Sequence, residues 1–128
     1  MNHEKCLLYH LLGKLLCLLI STQKNKITVD GKAFKIETFV DGKTDGIEIM
    51  SFKNGQVENN ECKKWGFMGA PYSFDDKTAS FKYTLTSASE GKMLWEGKVN
   101  GNKINGQYVW MKAGQKDIHY TFKGEEMK

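Results

Sequence analysis

The sequence contains no arginine: all 19 of its basic residues are lysine. Arginine supplies the forked contacts that read guanine, phosphate and carboxylate. The lysines run from Lys5 to Lys128, spread among 15 acidic residues without a dense block. A net charge of +4 so dispersed does not make a nucleic-acid face. It reads instead as solvated surface and protection of strand edges. Proline occurs once, at Pro71. The three cysteines are Cys6, Cys17 and Cys62, and the three histidines are His3, His10 and His119. If the first twenty residues are removed, Cys62 stands alone and no intrachain disulfide can form. No helix-length periodic segment follows Ile20, which excludes a parallel α/β fold.

What is present falls into two unequal parts. Residues 1–21 hold a short polar start and then a leucine-rich block, Cys6 to Ile20, interrupted by His10 and Lys14. A polar start before such a run resembles a secretory signal, although no small-x-small cleavage site follows. The same leucines recur at helical spacing, so a retained amphipathic helix is the competing reading. The block is short for a membrane span, which needs about 20 apolar residues.

Residues 26–124 read as one all-β domain. Aspartate- or asparagine-glycine pairs punctuate it at Asp30-Gly31, Asp41-Gly42, Asp45-Gly46, Asn54-Gly55 and Asn100-Gly101. Between such turns run alternating stretches: Phe34, Ile36, Thr38 and Val40; Ile47 and Ile49; Phe81, Tyr83 and Leu85; Met93, Trp95 and Val99; Ile104, Tyr108 and Trp110; Ile118, Tyr120 and Phe122. The intervening positions are polar and include Glu37, Glu48, Glu96 and His119, which the alternation places on the wet face. Short strands at even spacing predict an antiparallel up-and-down meander closing into a small barrel or half-barrel. Asn100-Gly101 predicts a two-residue turn with Val99 opposite Asn102, Gly97 opposite Ile104 and Trp95 opposite Gly106. Phe81, Trp95, Trp110 and Phe122 are expected to converge on one enclosed centre. Except for Tyr9, all three Trp, five Tyr and seven Phe lie between Phe34 and Phe122. Inward aromatics of this density are either plain core or the walls of a ligand cavity. As cavity walls, the candidates are Phe67, Tyr72, Phe81, Tyr83, Trp95, Tyr108, Trp110 and Tyr120. The segment Cys62 to Tyr72 breaks the alternation and reads as a structured loop or bulged strand pair packed by its own aromatics.

Catalytic chemistry finds little support. A thiol enzyme would need Cys62 beside a base, and His119 occupies the polar phase of its strand. Lys63 and Lys64 could lower the Cys62 pKa only by facing it. Cys62 and His119 lack metal partners at diagnostic spacing. Asp41 to Gly46 has only part of a calcium loop, and Gly66-Phe67-Met68-Gly69 lacks the lysine of a phosphate loop. No catalytic residue, metal site or cofactor is therefore expected.

Phe52-Lys53-Asn54-Gly55, Cys62 to Phe67, Ala70-Pro71-Tyr72, Glu90-Gly91-Lys92, Trp95-Glu96-Gly97, Val99-Asn100-Gly101, Ile104-Asn105-Gly106, Val109-Trp110, Gly114 to Ile118 and Tyr120 to Gly124, taken in order, resemble a family of small bacterial exported proteins without an assigned activity. The likeness runs over about residues 33 to 124. Trp65 stands where that family more often has Tyr, and the signal-like block is poorer than is usual there. The resemblance implies a lipocalin-like fold and an exported location in the periplasm, envelope or medium. The combined expectation is a non-enzymatic barrel binding a small apolar or amphipathic ligand, with membrane contact only through the N-terminal segment. The alternative is a structural or interaction protein of the envelope with a filled core.

Overall fold

The computed structural model describes residues 27–128, so the N-terminal leucine block lies outside the described residues. Eight antiparallel strands follow one another in chain order around a closed barrel. They are β1 (Ala33–Val40), β2 (Lys43–Lys53), β3 (Gln56–Asn59), β4 (Ala70–Asp75), β5 (Ser80–Ser87), β6 (Gly91–Asn100), β7 (Lys103–Met111) and β8 (Ile118–Glu126). A one-turn helix, α1 (Asn60–Lys63), interrupts the meander between β3 and β4. Closure comes from β1 against β8, paired from Phe34↔Glu126 to Phe39↔Thr121. The barrel is therefore complete rather than half-open, and no strand edge is left unpaired along β1 or β8.

Alternation fixes the inside of each strand. The core holds Phe34, Ile36, Met50, Phe52, Val57, Phe81, Tyr83, Leu85, Trp95, Val99, Ile104, Tyr108 and Phe122. The expected convergence is present: Trp95 and Phe81 lie 5.3 and 6.4 Å from the Phe122 ring, and Trp110 packs against the same cluster.

Three expectations change. In β2 the phase is the reverse of the one read from Ile47 and Ile49. Ile47 is 57% exposed, whereas Glu48 is only 8% exposed and lies inside with Met50 and Phe52. A bulge is the cause. Thr38 faces Gly46 but Phe39 faces Thr44, so Asp45 is the extra residue. Asp45-Gly46 is thus a bulge within β2 and not a turn. A one-residue insertion moves every following side chain to the other face.

The β6–β7 hairpin is also two residues out of the expected register. Gly101 and Asn102 form the loop, and Val99 faces Ile104, Gly97 faces Gly106, and Trp95 faces Tyr108. Gly101 has φ 63°, as the first central residue of a type II′ turn requires. The facing glycines leave room for two rings. A Cβ at Gly97 would meet the Asn105 carbonyl at 2.5 Å and Phe81 at 2.8 Å, and one at Gly106 would meet Phe122 at 2.8 Å. Finally, the Cys62 to Tyr72 segment is not packed by all its own rings. Phe67 is buried, Trp65 is 66% exposed, and Tyr72 belongs to β4.

The two ends differ. At the end holding the β2–β3 and β6–β7 turns, the segment before β1 folds over the opening. Val29 is fully buried there, and Gly31 N–H donates to the Phe52 carbonyl at 2.7 Å. The Asp30 carboxylate accepts from the N–H groups of Asn54 and Gly55 and from the Tyr72 hydroxyl, at 3.0, 2.8 and 2.8 Å. Those bonds favour its charged form and hold its pKa below the usual carboxylate value. The chain also leaves at this end, where Met127 N–H donates to the Ala33 carbonyl.

Gly97→Ala or Gly106→Ala is expected to lose about 1–3 kcal/mol of stability, because the new methyl displaces backbone or a ring. Gly46→Ala, whose Cβ meets nothing within 4 Å, is expected to be nearly neutral. Urea unfolding of the three variants checks the contrast.

Candidate functional site at the open end of the barrel

Five of the eight sequence-derived candidates stand directly opposite one another on consecutive strands: Tyr72, Tyr83, Trp95, Tyr108 and Tyr120. Neighbouring strands lie about 4.8 Å apart, so flat rings on facing positions can stack like plates. From Tyr83 to Tyr120 they do. Successive centroids are 5.6, 3.8 and 4.4 Å apart with interplanar angles of 9, 14 and 6°. Phe81 sits one layer toward the closed end. Trp110 sits one layer toward the opposite end, and Phe67 plugs in from the loop after α1. The eight thus share one core, but the row of rings packs against itself across the middle of the barrel. Among these rings the Trp95 indole N–H is buried without a partner.

The opposite end is only partly covered. Over β2 and β3 it is shut by α1 and the following loop. Ser87 fastens that loop by donating to the Trp65 carbonyl at 2.8 Å, and Asn60 fastens α1 by accepting from Ile49 N–H at 2.8 Å. Elsewhere the inward-facing residues Val40, Met93, Trp110, Ile118 and Tyr120 remain half-buried. Their counterparts at the closed end, Phe34, Phe52 and Ile104, are buried to 1% exposure or less. This contrast marks an open mouth. Trp110 is held in its rim by donating its indole N–H to the Glu90 carbonyl at 2.6 Å, while Glu90 pairs with Lys112 at 3.0 Å.

Beneath the mouth lies a polar group that the alternation missed. The Glu48 carboxylate accepts from the Asn59 amide at 3.0 Å and lies 3.6 Å from the Cys62 thiol. The Asn59 carbonyl oxygen accepts from the Tyr83 hydroxyl at 2.9 Å. Asn59 occupies the N-cap position of α1 yet makes no capping bond, its side chain being turned inward instead. The bulge brings Asp45 to the same end, where it accepts from Thr38 at 3.4 Å. Burial pushes the Glu48 carboxyl above the usual carboxylate value. Burial first, and Glu48 second, push the Cys62 thiol up strongly. Tyr108 is raised by burial and then by the charge of Glu48, and Tyr120 by burial and then by Asp45. Counting back by twos from Phe52 through Met50 would have placed Glu48 inside.

The chemistry follows from these placements. Cys62 is a protonated, buried thiol and a poor nucleophile. His119 is exposed on the outer face of β8, across the sheet from the interior, so the thiol–imidazole pair is not assembled. Glu37 and Glu96 point outward as expected, while Glu48 does not. Among the described residues, no three His, Cys, Asp or Glu side chains converge as a metal site. Outside the barrel, an open trough of about 850 Å³ crosses β4 to β8, bordered by Lys82, Leu94, Glu96, Gln107 and His119.

The raised Glu48 pKa has a definite sign for stability. The folded protein keeps the proton to a higher pH than the unfolded chain, so the native state loses stability as pH rises above about 4.5, until the folded group ionises. Glu48→Gln is expected to remove that slope and to raise the thermal midpoint at pH 7 relative to the parent. Cys62 is expected to react with a thiol reagent only at the rate of unfolding, a delay that should vanish in urea. Compared with known proteins, the chain matches no family model, no curated protein and no solved structure.

Proposed function

We propose that this protein is a non-enzymatic, exported barrel of lipocalin-like type that binds a small apolar or amphipathic ligand at the open end. The observation that carries the reading is the mouth itself. Inward-facing apolar and aromatic side chains stay half-buried around a buried polar group, the composition expected of a small-molecule site. The stacked row beneath limits depth, so the ligand is short and seats above Tyr108 and Tyr120 rather than threading the barrel. Export, and kinship with the small bacterial exported proteins, rest on the leucine-rich start and the ordered motifs of the body. Membrane contact belongs to the N-terminal segment. Dispersed lysines without arginine favour no nucleic-acid partner.

A second reading has one observation of its own. Trp65 and Met68, 66% and 58% exposed, project from the loop that covers part of the same end. Large apolar side chains exposed on one loop suit a protein contact. In that case the barrel is a solid support and the loop is the interacting part.

Nile red, a neutral apolar dye, is expected to gain fluorescence on the purified protein. Tyr120→Ala is expected to change its affinity at least threefold, whereas Val109→Ala on the outer face leaves it unchanged. Native mass spectrometry of undelipidated protein should show a small adduct. Absence of both dye uptake and adduct overturns the ligand reading. The second reading instead expects a crosslink from a probe at Lys64 to one defined protein, abolished by Trp65→Ala.

A further inference from the structure

We infer that Asn100 is a site of spontaneous covalent modification, converting to aspartate and isoaspartate through a succinimide formed with the Gly101 backbone nitrogen, while the fold protects Asn54-Gly55 and Asn105-Gly106. The three dipeptides are identical in sequence, and all three asparagines are exposed. The reaction makes three demands. The glycine nitrogen gives up its proton to a base, it reaches the asparagine side-chain carbonyl carbon, and the backbone swings to let it. Glycine puts no Cβ in the way of that approach. The bond from nitrogen to Cγ forms, the bond from Cγ to Nδ2 breaks, and ammonia leaves. Water then opens the ring at either of its carbonyls. One opening gives aspartate; the other gives isoaspartate, which carries an extra carbon in the main chain.

Backbone partners separate the three pairs. Gly101 is exposed at the tip of the β6–β7 hairpin, just beyond the last ladder pair, Asn100↔Lys103. Among the described residues, nothing accepts from its N–H. Gly55 is equally exposed, but its N–H donates to the Asp30 carboxylate at 2.8 Å, and the Asn54 N–H donates to the same group at 3.0 Å. That carboxylate holds the proton that has to leave, and its charge opposes the amide anion that has to form. Asn105 and Gly106 lie within β7, paired to β6 on one side and β8 on the other. Swinging their peptide requires the ladder to open, and the paired interior of a sheet opens rarely. The change at Asn100 reaches beyond its turn. The Asn102 carbonyl accepts from the Glu126 N–H at 2.7 Å, and Glu126 faces Phe34 where β8 closes on β1. A longer main chain at position 100 displaces Asn102 and weakens that tie at the seam.

The full chain, held in mildly alkaline buffer and sampled over days, can be mapped by peptide mass spectrometry. In the folded protein Asn100 is expected to gain one mass unit about tenfold faster than Asn54 or Asn105, and in urea the three rates are expected to converge. Asp30→Ser is expected to speed Asn54 severalfold while Asn105 stays slow, the slow Asn105 showing that the barrel remains folded. Asn54 or Asn105 keeping pace with Asn100 in the folded protein overturns the assignment. So does an Asn100 amide that persists until urea is added. An Asn54 rate unchanged by Asp30→Ser overturns the protection assigned to Asp30.

Discussion

The stack of rings on β5 to β8 is the constraint around which the barrel is arranged. Tyr83, Trp95, Tyr108 and Tyr120 can lie face to face only if four strands stay in one continuous register with their side chains in parallel. Bulk concentrated on that wall has to be matched by small residues elsewhere. Gly97 and Gly106 provide the space one layer below, and Phe81 and Phe122 occupy it. Eight strands enclose an interior that side chains can just fill. Here the rings fill its middle and leave one end less complete.

Polar groups then collect where the rings end. The facing wall is built from β1 to β3, and it supplies Thr38, Glu48 and Asn59. Tyr83 uses its hydroxyl to satisfy Asn59, which in turn satisfies Glu48, so the buried network is joined through named bonds. Cys62 comes to the same carboxylate from α1. The helix is short, yet it brings a thiol and a capping residue into the core and leaves Trp65 outside. Burial displaces these groups toward their neutral forms; the bonds from Asn59 and Cys62 work the other way on Glu48, whereas the bond to Glu48 adds to the effect on Cys62.

Much of the architecture was legible in the sequence because period-two alternation is strong in β1 and β5 to β8. The bulk of the rings reinforced that signal. β2 was misread for a physical reason: Ile47 and Ile49 are good strand formers, and nothing local announces that Asp45-Gly46 is a bulge rather than a turn. The consequence was large, since it hid Glu48, the acid at the centre of the site. The β6–β7 register failed more gently. Asn-Gly suits a type I′ turn, but pairing Trp95 with Tyr108 and glycine with glycine extends the ring stack and leaves space for Phe81 and Phe122. Long-range packing outweighed the local preference. The open mouth could not be read at all, because partial burial of Val40, Trp110 and Tyr120 depends on where α1 and its loop come to rest.

The domain begins and finishes on the same side: Val29 seals the closed end, and Met127 bonds to Ala33 beside it. Whatever is joined to either terminus is therefore attached at the pole opposite the mouth. A tether at that pole would hold the barrel like a cup on its base, with the rim turned away from the support and free to meet solutes.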